Sequence, residues 1–162
     1  MARLVLSDAS PLIALSRVNG LAWLPRLFGI VSMPPEVYSE VLPGLDLPGE
    51  GAITQAVRAG WLEVTEPAPE TPALPELDEG ESACIRTALA HDGPALLLID
   101  ERAGRTIAQE RGLQVASTAA IIGLAQQRGL IPSAREIFAL LHAAEFRIAP
   151  EVIRTVLQRV GE

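Results

Sequence analysis

Residues 94–100 read Pro-Ala-Leu-Leu-Leu-Ile-Asp, five consecutive apolar side chains closed by a carboxylate. A strand with one wet face alternates apolar and polar residues. An uninterrupted apolar run needs cover on both faces, the situation of a strand in a parallel sheet lying between helices. Near the start of the chain, Leu4–Ser7 repeats the motif on a smaller scale and ends at Asp8. These two segments are the clearest buried strands, and they restrict the fold to layered architectures.

Helical patterns separate the strands. After Asp8, Ser10 has the character of an N-cap and Pro11 that of a first helical residue, with "LIALSRV" continuing the helix to Asn19–Gly20. A short helix is expected over 21–28, a strand over 29–34 and a helix over 34–42 with Pro35 in its first turn. Glu36 and Glu40 then share one helical face. A helix over 52–60, a strand over 61–66 and a proline-rich surface loop over 67–77 follow. Beyond the loop come a helix over 79–93, the 94–100 strand, a helix over 101–112, a strand over 113–117 and a helix over 118–129. Two more helices, over 132–146 and 149–161, have no strand between them. Ser133 and Glu136 stand at capping-box spacing at the first of these. Alternation of strand and helix predicts an α/β fold with a mainly parallel sheet.

The apolar fraction of 49% can fill a sizeable core, and aromatics at only 4% mean that Leu, Ile, Val and Ala must fill it. One unit over residues 1–162 is expected, with a core over about 3–132 and a helical extension over about 133–162. The single cysteine, Cys84, allows no intrachain disulfide and reads as a buried thiol. No apolar run approaches the roughly 20 residues of a membrane span, and no basic segment followed by an apolar stretch marks a signal peptide. A cytoplasmic location without membrane association is the expectation. All 13 basic residues are Arg, and the formal charge of −7 argues against a broad basic face for nucleic acid while permitting a local groove or a metal-bridged phosphate contact.

Of five Asp residues, Asp8 and Asp100 end the two clearest strands. In open α/β sheets, ligands bind beyond the carboxyl ends of the strands where the winding reverses. If the two strands are neighbours, the carboxylates meet there. Helix capping accounts poorly for Asp8, because Ser10 already fits that role. Clustered buried carboxylates stay ionised together only around a cation. An oxygen-only donor set suits Mg²⁺ or Mn²⁺. His91 and His142 fall at helix ends and form no ligand pair, which argues against zinc. A phosphoaspartyl site is disfavoured: Ser10 stands where an Asp-x-Asp motif needs its second acid, and a receiver domain needs a Lys the chain lacks.

The blocks "LVLSDASPLIAL", "PPEVYSEVL", "EGESACIRTALAHDG", "LLLIDERAGRTIAQERGLQV" and "STAAIIGLAQQRGLIP" resemble, in order and spacing, those of PIN-domain proteins, in a prokaryotic branch related to the VapC-type toxins. The resemblance covers about residues 3–132, and the later "FRIAPEVI" is also similar to that branch. It implies a three-layer α/β/α sandwich with a five-stranded sheet in the order 3-2-1-4-5 and added C-terminal helices. It further implies an acidic pocket that binds Mg²⁺ or Mn²⁺ and hydrolyses RNA phosphodiesters, leaving a 5′-phosphate. By position, the metal-holding and catalytic acids are Asp8, Glu40, Glu81 and Asp100, with Glu36 and Glu79 as substitutes for Glu40 and Glu81. Ser10 supports the first acid. Arg102, with Arg105 near it, is a candidate for substrate phosphate, and Thr118 for a metal-bound water or a helix cap. Glu101 is expected to point away from the site. The implied partners are RNA, a small basic antitoxin-like protein that places an Arg in the pocket, and a second copy in a homodimer. Three positions depart from the common pattern: Asp8-Ala9-Ser10 lacks the usual Thr after the Asp, Leu98 stands where Thr is frequent, and Glu81 replaces an Asp. A PIN-like scaffold that binds RNA or protein without cutting is therefore the second reading.

Overall fold

Five short strands form one parallel sheet in the order β3-β2-β1-β4-β5 in a computed structural model that describes residues 3–162. The first two residues of the expected unit lie outside the described ones. The elements are β1 (Leu4–Ser7), α1 (Ala9–Ser16), α2 (Trp23–Phe28), β2 (Val31–Met33), α3 (Pro35–Val41), α4 (Glu50–Ala59), β3 (Leu62–Val64) and α5 (Glu79–Ala90). They continue as β4 (Ala95–Leu98), α6 (Arg102–Glu110), β5 (Gln114–Ala116), α7 (Thr118–Gln127), α8 (Ala134–Ala143) and α9 (Pro150–Val160).

β1 and β4 lie side by side at the centre, in register from Leu4↔Ala95 to Ser7↔Leu98. Every side chain of β4 is buried. Because successive side chains point to opposite faces, both faces of this strand are covered. The apolar run at 95–99 is therefore the middle of the sandwich. The chain winds outward from β1 to β2 and β3, then crosses back to β4 on the other side of β1. That reversal opens a crevice at the carboxyl ends of β1 and β4.

α5 packs on β1 and β4 and beside α3 and α6, whereas α7 packs against α1, α8 and α9. The last two helices share the main core: Phe138 and Leu141 of α8 and Val156 and Leu157 of α9 are buried within it. α7 and α9 approach closely at Gly123, where a Cβ would stand 2.7 Å from Val156 Cγ1. Cys84 is sealed in the core and its thiol pKa is raised well above normal, chiefly by burial. No helix among the described residues is long and apolar enough to cross a membrane.

Local chemistry departs from the sequence reading at the first helix. Ser10 is not its N-cap. Asp8 holds that position, with φ −73° and ψ 173°, and helix begins at Ala9. The sheet sets this boundary, since the Asp8 N–H still donates to the Leu98 carbonyl (2.9 Å) and keeps Asp8 extended. At α8, Ser133 does cap, accepting from the Glu136 N–H at 3.2 Å.

Candidate active site

Asp8 sits at the mouth of the crevice, only 5% exposed. Although it occupies the N-cap position, its side chain makes no cap hydrogen bond. Its Oδ1 is buried and has no hydrogen-bond partner. An ionised carboxylate in such a place is costly unless something positive or a donor meets it. The pKa of Asp8 is accordingly pushed up to about 7. Burial is the main cause; the adjacent Ala9 N–H acts the other way, and repulsion from Asp78, Glu81 and Glu40 adds to the rise.

Two helices bring their acids to the same place. Glu40 projects from the last turn of α3, where it is exposed; partial desolvation and the charge of Asp78 raise its pKa. The first turn of α5 carries Gly80, at which a Cβ would stand 3.0 Å from Asp8 Oδ1, 3.4 Å from Val37 Cγ2 and 3.5 Å from Glu40 Oε2. The Asp8 and Glu40 oxygens thus face one point, and a glycine keeps that point open. Glu81 follows, 4% exposed, with a pKa raised to about 6 by burial, then by Asp78 and Glu101. α6 presses on it from the other side: a Cβ on Gly104 would lie 3.6 Å from Glu81 Cδ.

Asp100 is held differently. Its Oδ1 accepts the Thr118 N–H at 2.7 Å, and its Oδ2 accepts the Thr118 hydroxyl at 2.8 Å and the Ser10 hydroxyl at 2.9 Å. These bonds to a carboxylate are of the stronger, charge-assisted kind. They tie the β4–α6 junction to the starts of α1 and α7. Ser10 thus supports Asp100 and not the first acid. Thr118 is not the cap of α7 either; Ser117 caps it, accepting from the Ala120 N–H at 3.2 Å. The position of the frequent Thr, Leu98, is fully buried in the core, and Ser10 and Thr118 bring hydroxyls to Asp100 from elsewhere in the fold.

The acids therefore fall into two sets: Asp8, Glu40 and Glu81 repel one another, whereas Asp100, at the end of the neighbouring strand, is clamped by Ser10 and Thr118 and is not among the charges that raise their pKa values. Among the described residues, no three Asp, Glu, His or Cys side chains already stand at the spacing needed to share one ion. The donor set nonetheless fits a hard divalent cation. It is all oxygen, it includes an unpartnered buried carboxylate atom, and its members lack positive counterparts at Asp8 Oδ1.

One acid of this crevice escaped the sequence reading. Asp78 caps α5, its Oδ1 accepting the Glu81 N–H at 2.8 Å, and its charge contributes to the raised pKa of Asp8, Glu40 and Glu81. The Asp-x-x-Glu spacing of Asp78 and Glu81 was the available signal, since it is the capping-box pattern. Glu101 is exposed; its charge contributes to the raised pKa of Glu81, and it borders the cavity that Asp100 lines. The substitutes Glu36 and Glu79 line an adjoining cavity of about 550 Å³ that Asp78 also borders, and Glu36 Oε2 is, like Asp8 Oδ1, buried without a hydrogen-bond partner. Arg105 donates from Nη1 to the Asp100 carbonyl at 2.7 Å, and Arg102 and Arg105 line a cavity that Asp100 and Ser10 also border.

No curated protein matches the chain. A family model described as a PIN domain matches residues 4–162, a span that takes in α8 and α9 as well as the sheet. With that match over nearly its full length, and with the parallel 3-2-1-4-5 sheet beneath an acidic crevice, the chain belongs to the PIN-domain family.

Proposed function

We propose that the protein is a metal-dependent ribonuclease that hydrolyses RNA phosphodiester bonds, with Mg²⁺ or Mn²⁺ held by Asp8, Glu40, Glu81 and Asp100. Nuclease-type chemistry and divalent ions are general to the family. The observation that carries the reading for this chain is Asp8 Oδ1, buried without a partner and repelled by Glu40 and Glu81. A bound divalent ion there supplies the Lewis acidity that makes a water nucleophilic at neutral pH and offsets charge on the reacting phosphate.

The chain's own residues do the rest. Ser10 and Thr118 fix the direction of both Asp100 oxygens. Gly80 leaves room between Asp8 and Glu40. Arg102 offers a guanidinium for substrate phosphate, and Arg105 braces the Asp100 backbone. The VapC-like role belongs to the same proposal: a toxin held by a small basic antitoxin-like protein, acting in the cytoplasm as a homodimer of single PIN-like units. A basic partner suits a chain of net charge −7.

Mn²⁺ titration by calorimetry, followed by RNA cleavage with wild type and Asp8→Asn, tests the proposal. Metal binding and cleavage that both disappear in Asp8→Asn are expected; cleavage that persists in the variant places the activity elsewhere. The second reading, a scaffold that binds RNA or protein without cutting, draws on one observation: no three of these acids are gathered to ion-sharing distance. Absence of any Mn²⁺ heat would favour it.

A further inference from the structure

Past Asp100 and Ser10, the crevice runs into an open cavity of about 450 Å³. Arg102 and Arg105 of α6 line one part of it, and Arg147, from the turn between α8 and α9, lines another. In a chain of net charge −7, three guanidinium groups converge on one concave surface that begins at a candidate catalytic acid. Glu101 and Glu145 also border it, so the surface is not simply basic.

The turn that carries Arg147 is anchored. The Phe146 N–H donates to the Leu141 carbonyl at 2.9 Å, closing the end of α8. Phe146 and Ile148 both pack against the core, and Arg147 between them is exposed. Phe146 and Ile148 line the cavity as well, and Arg147 stands between them on a rim shared with a second cavity beside His142 and Pro150. Arg17 braces the same turn, its Nη1 donating to the Ala144 carbonyl at 3.3 Å. The backbone under Arg147 is held in place while its exposed side chain keeps its rotamer freedom, which a bidentate phosphate contact must offset.

We infer that this cavity is the groove for the RNA strand flanking the cleaved bond, and that Arg147 is a substrate-positioning residue gripping a neighbouring phosphate. The inference takes RNA from the ribonuclease reading, and its test is arranged to fail separately from that reading.

The full chain is mixed with a short fluorescent single-stranded RNA in EDTA, and affinity is followed by anisotropy across a NaCl series. Each phosphate contact on a single strand contributes about 0.7 to the slope of log K against log salt. Arg147→Ala is expected to lower the slope by about that amount and Arg147→Lys to keep most of it, because both cations contact a phosphate. Glu145→Gln should tighten binding, and Arg128→Ala, at an exposed position outside this cavity, should leave the slope unchanged. In Mn²⁺, Arg147→Ala should raise KM with little change in kcat. A lowered slope without any cleavage leaves the groove standing and removes the nuclease. Cleavage with a slope that Arg147→Ala does not change removes the groove and leaves the nuclease. No RNA binding by wild type overturns the groove outright.

Discussion

Asp8 shows how one side chain can be legible in position and opaque in behaviour. A carboxylate that ends a buried strand marks the crevice in the sequence alone. Its proton affinity follows from surroundings supplied by α3 and α5, which no local pattern displays. The consequence for stability has a definite sign. The folded-state pKa of about 7 exceeds the ordinary 3.8, and that of Glu81, about 6, exceeds 4.5. The folded protein therefore binds more protons than the unfolded chain between those values, so the contribution is complete below pH 4 and is lost as pH rises toward 7. Each unit of difference is worth about 1.4 kcal/mol at most. Metal-free protein should accordingly melt at a lower temperature at pH 8 than at pH 5 on account of these two acids. Asp8→Asn should remove much of that difference and raise the pH 8 melting temperature. An unchanged pH dependence in the variant would refute the assignment. Added Mn²⁺ should recover stability at pH 8 in wild type and much less in Asp8→Asn. Ser10 was misread for a related reason. Its residue type suits a cap, but the β1 ladder runs through Asp8 and moves the helix start upstream of it.

Helices and strands carry the acids but do not orient them; their junctions do. Thr118 and Ser10, from α7 and α1, meet on one Asp100 oxygen. Thr118 is 1% exposed, so Thr118→Val keeps the shape and removes only the hydroxyl. Cleavage by this variant should fall roughly tenfold, equivalent to about 1.4 kcal/mol of barrier, with the fold retained by circular dichroism. An unchanged rate would mean that the Asp100 clamp has no part in the chemistry. Gly80→Ala tests the α5 approach, since its methyl would stand 3.0 Å from Asp8 Oδ1 and 3.5 Å from Glu40 Oε2. It should weaken Mn²⁺ binding in calorimetry while moving the melting temperature little; equal affinity would show that the space at Gly80 is not used. Element types were readable from periodicity, and edges were less so. The expected strand at 61–66 is only Leu62–Val64, because β3 is the sheet's outer strand and exposes Glu63 and Val64. Asp78 went unread because a capping residue looks alike whether or not other acids crowd it.

At the level of the molecule, the strand order was implied by likeness to a family, and periodicity alone predicted only an α/β class. Where the last two helices dock could not be read, for amphipathic faces do not name their partners. Docking on α7 places Phe138, Leu141, Val156 and Leu157 in the main core. Removing residues 133–162 should therefore leave α7 uncovered and the remainder aggregated, as sedimentation and circular dichroism will report; a soluble, cooperatively melting fragment would refute this. Gly123→Val gives a gentler version, an overpacking at Val156 that costs about 1–3 kcal/mol in urea titration. The Arg-bearing groove also has a consequence for synthesis. One wall contains Ser10 and another Arg147, so a nascent chain can display its early carboxylates long before the groove beside them exists. On the reading inferred above, the growing polypeptide has no finished RNA groove until Arg147 has left the ribosome.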